Sequence, residues 1–130
     1  MQLKLAVVCD EARQRPDGKV DLLGVFDELA APGFPAVQEK LTVVFIVEWE
    51  ADEIGRQPLR ADLVHDDDTK VLTIQGHAEV GGHGARLLSR LVMPIENVIF
   101  PHAGAYHFEL VAGGHSVRAC SLHLVEHPSD

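Results

Sequence analysis

Positive charge is scarce in this sequence. Eleven Lys and Arg stand against twenty Asp and Glu, a formal net charge of -9 over 130 residues. Nucleic acid and anionic membrane surfaces both require a basic patch, so neither is an expected partner. Cysteine is scarce as well, with only Cys9 and Cys120. The opening Met1–Asp10 is a poor secretion signal, because its apolar run is short and acidic residues follow where a small-residue cleavage site would lie. The expected location is therefore the cytoplasm, and the two cysteines read as free, buried thiols rather than a bridge. The most apolar stretch, Leu41–Trp49, is too short to cross a bilayer as a helix. Also missing are an amphipathic helical pattern, an internal repeat and a linker. Without crossover helices a parallel βαβ fold is excluded, and the length fits one domain, residues 1–130.

What is present is alternation. Leu41-Thr42-Val43-Val44-Phe45-Ile46-Val47-Glu48-Trp49 is apolar at nearly every position. A strand apolar on both faces is covered on both, so Lys40–Glu50 belongs in the middle of a sheet, with Phe45 and Trp49 as structural anchors. Further strands read at residues 3–9, Lys19–Asp27, Pro58–His65, Lys70–Val80, Arg86–Met93, Gly104–Val111 and Ser116–Glu126. Val117 and Leu122/Leu124 fall on opposite parity, which predicts a bulge in the last strand. Asp10–Lys19 reads as a polar loop turned by Pro16-Asp17-Gly18. Residues 29–37, with two prolines and a glycine, read as an irregular crossing between sheets in which Phe34 folds inward. Gly81–Gly84 reads as a hairpin tip, and Ile95–Phe100 as a short connection after Pro94. About eight short strands at this spacing point to an all-β antiparallel sandwich.

Two resemblances add to this. Pro101-His102-Ala103-Gly104-Ala105-Tyr106-His107-Phe108 resembles the turn into the sixth strand of immunoglobulin-like domains, where a tyrosine hydroxyl bonds back to upstream backbone. That resemblance implies a buried Tyr106 whose hydroxyl reaches the backbone of Ile95–Phe100. The cysteine pair and tryptophan of antibody domains have no match, so only architecture carries over. Separately, Cys9-Asp10-Glu11-Ala12-Arg13, Asp17-Gly18-Lys19, Leu23-Gly24-Val25-Phe26, Phe34-Pro35-Ala36-Val37 and Val98-Ile99-Phe100-Pro101 together resemble a family of small uncharacterised bacterial proteins. This implies bacterial origin and a shared β-rich domain, and supplies no substrate.

No catalytic constellation is visible. The histidines make no His-x-His pair, and Asp66-Asp67-Asp68 is one acidic cluster where calcium needs six or more oxygens. Cys9 sits beside Asp10 and Glu11, which raise a thiol pKa rather than lower it. No cofactor is expected. Asp10, Glu11, Arg13, Arg15 and Lys19, with Phe34 nearby, form the candidate recognition site; the competing reading is an ion-paired loop that fixes two strands. The function expected is a non-enzymatic module that binds a protein partner, with a homodimer through an edge such as Arg86–Met93 or an apolar sheet face. The alternative is a small-molecule or metal-binding domain, or an enzyme built around the first inter-strand loop.

Overall fold

The computed structural model describes residues 1–81 and 86–127. The expected tip at Gly82–Gly84 and the tail at 128–130 lie outside these residues. Nine strands are present among the described residues: β1 (Gln2–Gln14), β2 (Val20–Phe26), β3 (Glu28–Ala31), β4 (Ala36–Trp49), β5 (Gly55–His65), β6 (Lys70–Val80), β7 (Leu87–Phe100), β8 (Gly104–Ala112) and β9 (His115–Glu126). They form two sheets, one of order β2-β1-β4-β7 and one of order β3-β9-β8-β5-β6.

β4 lies inside the first sheet, as its sequence requires. Leu41, Val43, Phe45, Val47 and Trp49 face the common core, where Phe45 meets Phe108 of β8 edge-on at 6.4 Å. The Trp49 indole N–H donates to the Ser89 hydroxyl at 2.8 Å, which satisfies the one polar atom of a buried ring. The bulge expected in β9 is there: Phe108 pairs with Cys120 and Glu109 with Arg118, leaving Ala119 extra.

Four expectations need correction. β1 does not stop at Cys9 but runs to Gln14, because pairing with β2 satisfies its backbone whatever its side chains are. β7 runs through Pro94 to Phe100 as one strand. It pairs only with β4, so the missing N–H of Pro94 can face the open edge. At Asn97, φ is 56°, and the pairs on either side (Lys40 with Glu96, Gln38 with Val98) skip a rung. Beyond it Val98 and Phe100 face the core and Val37 and Ile99 face out. The crossing at 29–37 contains β3, which pairs in parallel with β9, so the fold is not purely antiparallel. Phe34 packs against the core half-buried, on a cis bond to Pro35. The Tyr106 hydroxyl accepts the His102 N–H at 3.2 Å and donates to the His102 carbonyl at 2.5 Å, rather than reaching Ile95–Phe100.

One feature of β1 sets up the surface. Its pairing with β4 ends at Cys9 opposite Thr42. Farther on, the Gln14 amide donates to the Arg90 carbonyl of β7 at 3.0 Å, although β7 lies on the other side of β4. The end of β1 therefore crosses the face of β4 that points away from the core. Cys9, Thr42 and Val44 are buried yet lie outside the core cluster, as a crossing arm requires. Gly24, opposite the start of this crossing, has φ of +68° and packs so closely on Asp10 that a Cβ would overlap its carboxylate. Only glycine permits this bend.

Candidate functional site

The residues singled out in the sequence divide. Asp10, Glu11, Arg13, Arg15 and Lys19 all lie on the arm formed by the end of β1, its turn and β2. Arg13 donates to Glu11 at 3.3 Å, and Arg15 reaches Asp17 at 2.9 Å and Asp21 at 3.7 Å. The Lys19 N–H is capped by the Asp17 carboxylate at 3.0 Å, which closes the turn. Phe34 does not join them; it is spent on the core. The arm thus pairs Arg13 with Glu11, and Arg15 with Asp17 and Asp21, along one surface, and these exposed pairs contribute little stability.

What sequence reasoning missed on the arm is apolar. Leu23 and Val25 of β2 are 45% and 57% exposed, in register beside Glu11 and Cys9. The signal was available: in Leu22-Leu23-Gly24-Val25-Phe26 both parities are apolar, although the strand is an edge with only one covered face. A second exposed pair, Val37 opposite Ile99, lies on the β4–β7 ladder.

A different polar cluster occupies the outer face of the five-stranded sheet. Asp62 is 2% exposed and accepts from the Thr73 hydroxyl at 2.8 Å and Arg60 at 3.2 Å, with Lys70 at 3.5 Å. Its register neighbour across β8 is Glu109, which in turn faces Arg118. Arg118 lies 2.7 Å from Nδ1 of the buried His107, and Glu109 lies 2.9 Å from Nε2. A guanidinium can only donate, so Nδ1 accepts and Nε2 carries the proton to Glu109. Both ring nitrogens are occupied, and neither is free to take a proton from a substrate. Ser121 pairs across from His107, but with both nitrogens engaged the two cannot act as nucleophile and base.

The thiols are no better suited to chemistry. Burial, then the Asp10 carboxylate, pushes Cys9 up, and burial pushes Cys120 up to about 11. Cys120 lines a cleft of about 500 Å³ with Ala6, Val8, Phe26, Asp27 and His123, where β2 leaves β1. The Asp66–Asp68 cluster is a turn: Asp67 accepts the Thr69 N–H at 2.9 Å, and Asp68 takes φ of 70°. Among the described residues no three His, Cys, Asp or Glu side chains gather as a metal ion would need. Among the same residues no helix is long and apolar enough to cross a membrane.

The chain is thus an all-β, two-sheet domain in which, among the described residues, every buried side-chain polar atom has a partner. It belongs to a family of unknown function (DUF6941), whose model matches residues 4–125. No curated protein matches it.

Proposed function

We propose that this is a non-enzymatic binding module, and that its contact surface for a protein partner is the β1–β2 arm. The observation that carries the proposal is the exposure of Leu23 and Val25 side by side on an edge strand rimmed by Glu11, Arg13, Arg15 and Asp21. Apolar surface ringed by charge is the make-up of a protein contact. The same reading makes the sandwich immunoglobulin-like. It is supported by the hydroxyl of Tyr106 closing on His102 just before Gly104, and by β3 lying parallel to the last strand. A bacterial cytoplasmic setting is part of the proposal, supported by the two unpaired thiols.

The test is co-purification from the native host with the parent and with Leu23→Asp/Val25→Asp. The parent should retain one stoichiometric protein, be it another chain or a second copy, and the double variant should lose it while melting normally. Retention by both would place the contact elsewhere.

A further inference from the structure

An open sandwich has four sheet edges, and proteins protect them by shortness, charge, proline or local distortion. β3 has four residues. β7 is interrupted by Pro94 and by the positive φ of Asn97, and Gln14 caps its Arg90 carbonyl. β6 alternates polar residues outward, with Thr73, Gln75, His77 and Glu79. β2 is seven residues long, is bent at Gly24, and carries no charge between Leu22 and Phe26, while exposing Leu23 and Val25. It is the least defended edge.

Resting on the arm as the contact surface, we propose that its occupant is a second copy of this chain, joined by antiparallel pairing of β2 with β2 about a two-fold axis at Leu23. The residues that flank the strand, Lys19 before it and Asp27 where the chain turns toward β9, select this register. Lys19 and Asp27 bracket Leu23 at equal distance, so each copy's Lys19 falls opposite the other's Asp27. A shift that centres Gly24 instead sets Asp21 against Asp27, two like charges opposite each other. In the favoured register Leu23 meets Leu23, Val20 meets Phe26, and Gly24 meets Leu22, so the bend is repeated on both sides of the axis. Two four-stranded sheets then become one eight-stranded sheet, and a chain of net charge -9 meets its copy where a cation, Lys19, stands opposite an anion, Asp27, at both ends. An isologous contact of this kind closes at the dimer.

Sedimentation equilibrium of the parent, Lys19→Asp, Asp27→Lys and an equimolar mixture of the two variants tests the register. Each variant alone should dimerise about tenfold more weakly, since like charges then face each other twice. The mixture should form a heterodimer at least as well as the parent associates with itself, because every facing pair is again opposite. Leu23→Cys should oxidise to a cross-linked dimer, as antiparallel partners sit about 4.5–5.5 Å apart, within disulfide reach; the parent, with Cys9 buried, is the control. A parent that stays monomeric at high micromolar concentration overturns the second copy as occupant, as does a dimer indifferent to both charge reversals. If the parent is monomeric but the arm-dependent host partner persists, only this inference fails; if Leu23→Asp/Val25→Asp loses nothing in either assay, the arm itself is the wrong surface.

Discussion

The arm and the outer face of the five-stranded sheet are both strand surfaces crowded with charge, and they are built for different ends. On the sheet, two buried groups are held by partners that reach to the surface: Asp62 holds Arg60, Lys70 and Thr73, and His107 is held between Arg118 and Glu109. Removing one member leaves another without its partner. On the arm the charges are exposed and pair only with near neighbours, while the apolar residues are the ones left uncovered. A buried polar network specifies a fold; an exposed apolar strand specifies an encounter. Substitutions should therefore separate cleanly into those that unfold the domain and those that change only what it contacts.

The largest effect is expected at Tyr106, whose hydroxyl closes the turn at His102 in the sheet that carries the polar cluster. The Tyr106 ring packs edge-on against Phe100 at 5.1 Å and His65 at 4.7 Å. Tyr106→Ala should cost roughly 3–5 kcal/mol through the cavity it leaves. Tyr106→Phe loses only the bonds to His102 and should cost about 1 kcal/mol. Urea melts check both; a Phe variant as stable as the parent would remove the corner from the description of the fold.

Within the network, Asp62→Ala should cost about 1 kcal/mol, mainly by taking away the acceptor of the Thr73 hydroxyl, since the half-exposed Arg60 and Lys70 keep their water. An unchanged denaturation midpoint would show that the buried carboxylate is dispensable, and the contrast with the arm would fail on its structural side.

Next comes a pH dependence at the His65 turn. Burial lowers the proton affinity of His65, but the Ala103 carbonyl and the Asp67 carboxylate outweigh it, so its pKa lies above 6.5. A raised folded pKa adds stability at pH below the unfolded value, and that stability is lost as pH rises through the folded one. Asp67 behaves oppositely. The Thr69 hydroxyl and N–H, then His65, hold its carboxyl down to about 2 from 3.8. Its contribution is full above the unfolded value and lost as pH falls through about 2. The pair is thus at full strength between these limits. In urea midpoints measured against pH, His65→Gln should flatten the decline on the neutral side and Asp67→Asn the acid limb; parallel curves for variants and parent would show the pair to be inert.

The smallest effect on stability is expected on the arm. Leu23→Ser should move the midpoint by no more than about 0.5 kcal/mol, as for any exposed site away from the core. A larger loss would mean that Leu23 is part of the fold, and the distinction between the two surfaces would collapse.

Much of this was legible in the residues and some was not. The double-faced apolarity of Leu41–Trp49 placed β4 inside a sheet, the parity change after Val117 placed the bulge, and the resemblance at Pro101–Phe108 placed a buried Tyr106 with a bonded hydroxyl, though on His102 rather than on Ile95–Phe100. β1 beyond Cys9 was hidden because ladder bonds to β2 do not depend on side-chain polarity. β7 was cut short at Pro94 because edge position, which excuses a proline, is a tertiary fact. The His107–Arg118 bond was invisible for a similar reason, since the extra residue Ala119 decides which β9 side chains meet β8. Asp10, Glu11, Arg13, Arg15 and Lys19 share the arm but Phe34 does not stand with them, and the apolar half of the arm at Leu23 and Val25 is hidden in the sequence because its exposure depends on β2 being an edge.

Backbone amide hydrogen exchange measured at low and at high micromolar protein most directly tests whether the arm is the surface of encounter. Protection should rise with concentration along Val20–Phe26 and stay constant along Lys70–Val80, the edge of the other sheet. Exchange along Val20–Phe26 that is indifferent to concentration, with protection appearing on β6 or β7 instead, would contradict it.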